Sequence, residues 1–271
     1  MKLLITIVVY NKVFLECDAY LTFIKNKINY NNIEIYYFIY DNSSINYAYK
    51  NIPKHVFYKK DETNPGVSVA YNSAFNYAKN NKYDWVILSD QDTKYPDNFI
   101  QKVASHLILG KYSIYSPILH QNNKLLSPLI FKYFRGIPIK SKIYGEINLK
   151  SRLFPINSGL ILGAKIFENF KYNAKAKLDF SDFIFFERLL KSNYKYFIIN
   201  ILCEHNLSTN EITSLKNKLM RFKYYSLGLF EYAKENNLII LGFFFLFARA
   251  SLLNFRNKTL KFYFKLNVYF K

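Results

Sequence analysis

The chain has 271 residues, 51% of them hydrophobic, and a formal net charge of +19. That length and apolar content suffice for a full α/β core and exclude a disordered chain. The charge alone would suggest nucleic acid or an anionic membrane surface. However, Lys, Asn, Ile, Tyr and Phe are enriched together along the chain, as a general compositional bias would make them. Cys17 and Cys203 lie far apart in sequence and form neither a disulfide framework nor a zinc-ligand spacing, so a reducing, cytoplasmic setting is expected.

The opening run Leu3 to Val9 is β-branched and apolar, as a strand buried on both faces would be. Asn11 and Lys12 follow directly, without the small-residue cleavage site of a secretory leader. A helical pattern from about Val13 to Ile28 precedes a second strand, Ile33 to Tyr40, which stops at the turn-forming Asp41-Asn42-Ser43-Ser44. A short strand over His55 to Tyr58 leads into a loop carrying Asn64-Pro65-Gly66. Val67, Ala70, Tyr71, Ala74, Phe75 and Ala78 then recur at helical spacing, with Ser68, Asn72 and Asn76 expected on or near the other side.

Asp84 to Ser89 reads as a strand that delivers Asp90-Gln91-Asp92-Thr93, and a helix follows from about Pro96 to Leu109. Strands alternating with helices predict βαβ units and a mainly parallel sheet. Such sheets bind ligands at the carboxyl ends of their strands, where Asp41, Asn64 and Asp90 all fall. Residues 112–150 are interrupted by Pro117, Pro128 and Pro138 and read as strands and loops. Asn157-Ser158-Gly159 and an apolar run follow, then Asp179-Phe180-Ser181-Asp182 opens a helix through Arg188.

From residue 211 the chain reads as helical and basic, with eleven Lys and Arg against three acids. The division expected is a catalytic domain over residues 1–210 and a helical segment over 211–271. Leu238 to Ala248 is strongly apolar but, counted up to Arg249, too short to cross a bilayer. It suits a helix lying in the membrane interface, or equally one packed on the core.

Two carboxylates one residue apart at the end of a buried strand make a compact site for a hard cation, Mg²⁺ or Mn²⁺, with positions left for phosphate oxygens. Asp-x-Asp alone is common in turns, so Asp90 and Asp92 gain weight from the strand before them. A nucleic-acid binder would need basic residues interleaved with exposed aromatics on one face, whereas here the cations are dispersed and the acids concentrated. A sugar nucleotidyltransferase would need a glycine-rich basic loop near the N-terminus, which is not seen.

Taken in order, Ile7-Val8-Val9-Tyr10-Asn11, Asp41-Asn42-Ser43-Ser44, Asn64-Pro65-Gly66 and Leu88-Ser89-Asp90-Gln91-Asp92-Thr93 resemble family 2 glycosyltransferases. Within that family they are most similar to bacterial rhamnosyltransferases of surface-polysaccharide assembly. The resemblance covers roughly residues 1–210 and implies the GT-A fold and an inverting transfer of a sugar, rhamnose in the nearest cases, from a nucleotide-diphosphate donor. The acceptor implied is a glycan or lipid-linked glycan at the inner membrane surface.

By that resemblance Val9, Tyr10, Asn11 and Asp41 hold the nucleoside, and Asn64, Gly66 and Asn72 shape the donor pocket. Asp90 and Gln91 face the donor, while Asp90, Asp92 and His205 are placed near the metal. Asp182 is the candidate base, by likeness to the acidic pair that precedes the family's Arg-bearing helix. Departing from that pattern, Ser181 precedes it and Ile184 follows it, so Asp179 is the fallback. Purely structural roles stand beside these: an Asx-turn for Asp41, backbone freedom for Gly66, a solvated helix position for Asn72, and helix capping for the two acids.

Overall fold

The computed structural model describes residues 1–26, 32–47, 49, 51–206 and 214–269. The first strand, β1 (Lys2–Val9), is followed by a 3₁₀ turn (Phe14–Glu16) and helix α1 (Asp18–Lys25). Next come β2 (Glu34–Asp41), β3 (Val56–Lys60), α2 (Val67–Asn80), β4 (Trp85–Asp90), the two-residue β5 (Thr93–Lys94) and α3 (Phe99–Leu109). The middle of the chain forms β6 (Ile114–Gln121), β7 (Lys124–Ser127), β8 (Leu129–Lys132), β9 (Arg135–Pro138), β10 (Gly145–Asn148), β11 (Leu153–Phe154) and β12 (Ile161–Gly163). Helices α4 (Ala164–Phe167) and α5 (Ser181–Lys191), strand β13 (Lys195–His205), and helices α6 (Leu215–Glu235) and α7 (Ile239–Asn257) complete it.

The main sheet runs β10-β13-β6-β12-β4-β1-β2-β3, with β5 on β13 and β7 on β6. The pairs β1/β2, β1/β4, β2/β3 and β6/β13 are parallel, as the near-continuous apolar runs predict. β12 runs antiparallel between β4 and β6, and β8, β9 and β11 form a separate small sheet. Apolar residues of α1 and α3 pack with one face of the sheet, and those of α2, α4, α5, α6 and α7 share a single core on the other.

Several boundaries differ from the sequence reading. The first helix is broken into a 3₁₀ turn and α1, which ends at Lys25, with Ile28 outside the described residues. α3 begins at Phe99, its N–H bonded to the carbonyl of Pro96, so Pro96 lies ahead of the helix. Ser68 is not on a solvated side: it is fully buried and its hydroxyl donates to the Ala176 carbonyl at 2.6 Å.

The expected division at 210/211 falls outside the described residues. Beyond it, α6 is fastened to α5 by Arg188, which forks onto both carboxylate oxygens of Glu235 at 2.6 and 2.9 Å. Arg152, Glu187 and Tyr232 form a second, more buried cluster. The apolar stretch after Leu238 does not stop at Arg249. It continues as one 19-residue helix, long and apolar enough by length and composition to cross a membrane. Only 22% of its apolar window is buried: Gly242, Leu246, Ala250 and Asn254 turn inward, Leu246 and Ala250 joining the common core, and most of the helix surface faces outward.

Candidate active site

The carboxyl ends of β1, β2 and β4 converge, as parallel strands in register require. Val9 pairs with Asp41, and Val8 pairs with Asp90. Just past β1 the chain turns sharply: Asn11 has φ 52° and donates its N–H to Ser43 Oγ at 2.7 Å. Tyr10 is clasped by Gln91, whose amide oxygen accepts the Tyr10 N–H at 2.8 Å and whose amide nitrogen donates to the Tyr10 carbonyl at 3.3 Å. These bonds hold the residues after β1 against those after β4.

Asp41 is wholly buried. One oxygen accepts from the Ser43 N–H at 2.8 Å, which is the Asx-turn, and the other accepts from the Tyr58 hydroxyl at 2.6 Å. Both of its carboxylate oxygens are therefore bonded within the protein. Asn64 (φ 46°) and Gly66 (φ 97°) shape the loop before α2. A side chain at Gly66 would strike the Lys177 carbonyl, which itself accepts the Val67 N–H at 2.8 Å. Asn72 is not solvated: its amide brackets the backbone of Tyr172, donating to the carbonyl at 2.9 Å and accepting the N–H at 2.8 Å.

The acidic run ends β4 and leads into β5, which pairs with the end of β13, placing Thr93 opposite His205. Ligand atoms of Asp90, Asp92 and His205 all lie within 4.8 Å of one another. The Thr93 hydroxyl fixes the His205 ring through Nδ1 at 2.7 Å and meets Ser158 Oγ at 2.7 Å, while Ser158 accepts the Asp90 N–H at 3.1 Å. The Tyr71 hydroxyl donates to Asp90 at 3.0 Å. Burial, with Asp90 close by, raises the Asp92 carboxyl to about 6. Its Oδ1 is buried with no hydrogen-bond partner. An orphaned carboxylate oxygen beside a second carboxylate and an imidazole fits a hard divalent cation, which would satisfy the oxygen and offset the repulsion.

Asp182 stands in the first turn of α5, which Phe180 enters with φ 67° and no side-chain cap. Burial, reinforced by nearby Asp179, pushes its carboxyl up to about 7, and Asp90 is close enough to add to the rise. Tyr172 lies under the electrostatic influence of both Asp182 and Asp90, and its hydroxyl is held by Asn157 at 2.8 Å. Asp179 faces the other way, toward α6, and pairs with Arg221 at 2.8 Å. Site-building residues not singled out from sequence are Thr93, Ser158, Tyr71, Tyr58 and Tyr172. Of these, Thr93 and Ser158 carried a signal, as parts of Asp90-Gln91-Asp92-Thr93 and Asn157-Ser158-Gly159.

Residues 5–157 match the model of the family described as Glycosyl transferase family 2. A comparison with curated proteins found no match. Among solved structures the chain resembles the crystal structure of S. aureus TarS 1–349 in complex with UDP, at 12% identity and a TM-score of 0.53, over 85% of this chain and 66% of that one. The UDP-GlcNAc complex of the same fragment matches at 12% identity and a TM-score of 0.53, over 85% and 67%. Against S. aureus TarS itself the identity is 13% and the TM-score 0.53, over 85% of this chain but 40% of that one. The chain thus spans less than two thirds of the first of these structures and well under half of TarS, and at such identities the likeness establishes the fold, which is GT-A. With the family model covering more than half of the chain, over the strands that carry Asp41 and Asp90, this protein belongs to glycosyl transferase family 2.

Proposed function

We propose that this protein is an inverting glycosyltransferase that takes a sugar from a nucleoside-diphosphate donor and passes it to a hydroxyl of a growing glycan. The observation that carries the reading is the Asp90, Asp92 and His205 cluster with its orphaned Asp92 oxygen, set at the ligand-binding edge of the sheet. Bound there, Mg²⁺ or Mn²⁺ would neutralise the charge that gathers on the departing diphosphate. Tyr10, Asn11 and Gln91 flank the nucleoside side of the cleft, with Val9 and Asp41 supporting them from below. Asn64 and Gly66 shape the donor loop, and Asn72 acts on the site through Tyr172.

Asp182 takes the proton of the acceptor hydroxyl as that oxygen bonds to the anomeric carbon and the bond to the diphosphate breaks. One feature favours it over Asp179, which pairs with Arg221: Asp182 has no cationic partner among the described residues. Burial raises both carboxyls, and that of Asp182, at about 7, suits a base working near neutral pH. The motif resemblance favours rhamnose as the sugar and a lipid-linked surface glycan as the acceptor. A place on the inner face of the membrane is supported by α7, whose Ile240, Phe244, Phe247 and Phe255 form one exposed apolar stripe. Replacing Asp92 with Asn tests the reading: donor hydrolysis and transfer should both be lost while the fold persists. Retained metal-stimulated turnover would reject it.

A further inference from the structure

The α6/α7 pair builds a second site away from the acidic cluster. Between the two helices lies a cavity of about 470 Å³ lined by Lys218, Arg221, Arg249 and Arg256, with Asp179 and Tyr225. Four cations face one carboxylate there. Arg221 is paired with Asp179, whereas Lys218 is bonded only to the neutral Asn257 and Arg249 stacks on the Tyr225 ring at 4.2 Å. Among the described residues neither Lys218, Arg249 nor Arg256 has a carboxylate partner within 4.0 Å.

Like charges gathered in a partly enclosed space repel one another unless an anion joins them. A second feature points the same way: the Tyr225 hydroxyl is buried without a hydrogen-bond partner, a donor with no acceptor. Arginine forks and a phenolic hydroxyl suit phosphate oxygens. The remaining walls, Phe222, Leu253 and Phe262, are apolar.

Placement gives the cavity its role. Asp179, on its wall, lies three residues before Asp182, and α6 comes so close to this segment that a side chain at Gly228 would strike the Asp179 carbonyl. The same segment is held on its other side by Gly66 and Val67 of the donor loop. Along α7, Arg249, Leu253 and Arg256 turn toward the cavity, while Phe244, Phe247 and Phe255 point outward.

We infer that the cleft between α6 and α7 binds the phosphate or diphosphate group of a lipid-linked acceptor, with the lipid chain running along the apolar face of α7. The inference rests on the transferase reading for the identity of the ligand as acceptor. The anion site itself rests on the cavity alone.

Two titrations test it, both in EDTA so that the acidic cluster holds no cation. The full chain is titrated with inorganic pyrophosphate, and separately with phosphatidylcholine vesicles carrying or lacking a diphosphate-linked isoprenoid. Arg249→Gln with Arg256→Gln should weaken pyrophosphate binding at least tenfold and abolish the preference for diphosphate-bearing vesicles, while donor hydrolysis with Mn²⁺ is unchanged. Arg256→Gln alone, at an exposed position, should weaken both in the same direction if the double variant does not fold. Unchanged pyrophosphate binding in the variants, or none in the wild type, overturns the anion site. Pyrophosphate binding that depends on the arginines, joined to vesicle binding that ignores the diphosphate, overturns the lipid-linked ligand in favour of a soluble phosphate. Absence of donor hydrolysis with pyrophosphate binding intact would instead count against the transferase reading.

Discussion

Replacing Asp182 with Asn should make the protein more stable and less active at once. The carboxyl is half-buried and pushed from its ordinary value to about 7, chiefly by loss of solvation and next by Asp179. A raised folded-state value means that the native protein holds the proton where the unfolded chain has lost it. The resulting stabilisation is full below the unfolded value and is lost as pH rises to about 7. Complete ionisation in a sealed site would cost about 4 kcal/mol. Solvent reaching this carboxylate brings the expected cost to ~2 kcal/mol. Asn cannot ionise, so at pH 8 the variant should melt about 4 °C above the wild type, and the difference should vanish by pH 4. Transfer should fall by roughly 10²–10⁴-fold, and the wild-type rate should climb on its acid side through about pH 7. The assay is a set of melting curves from pH 4 to 8 beside a transfer assay. A variant destabilised equally at both ends would refute the reasoning. Destabilisation at pH 8 alone would refute it as well, by showing that the charge serves the α5 N-terminus, where an anion is favourable.

Two more outcomes follow from the same structure. Gly66→Ala forces a side chain onto the Lys177 carbonyl at a φ that disfavours it, so it should cost about 1–3 kcal/mol in a denaturant melt and raise KM for the donor. Phe244→Glu with Phe255→Glu places charge on the exposed stripe of α7, so vesicle sedimentation should drop sharply while the melting temperature moves little; unchanged sedimentation would count against the membrane-facing assignment.

What the sequence made legible follows from how each part is built. Strands β1, β2 and β4 are buried on both faces, so their apolar runs and the polar residues that end them stand out, and they bring Asp41 and Asp90 to one edge. Other features depend on pairings distant in sequence. β13 lays His205 against Thr93 across 112 positions, and β12 enters the sheet antiparallel with only three residues. Asn72 reads as a helix surface residue because Tyr172, its partner, is 100 residues away.

The helix of α7 outlasts the apolar run because Arg249 sits on the face turned to α6, where a cation does not interrupt the helix. For the same reason the cations are dispersed in the sequence. Lys218, Arg221, Arg249 and Arg256 belong to two helices and become a cluster only when those helices pair. The basic excess is therefore partly organised, contrary to the even spread that the sequence suggests.

The central claim is that Asp90, Asp92 and His205 hold a cation that in turn holds a nucleoside diphosphate. It is tested most directly by melting the wild type and Asp92→Asn with UDP and with dTDP, each in Mn²⁺ and in EDTA. The melting temperature of the wild type should rise with one nucleotide only when Mn²⁺ is present, and that of Asp92→Asn should not rise. An equal rise in EDTA, or one that survives the substitution, would contradict it.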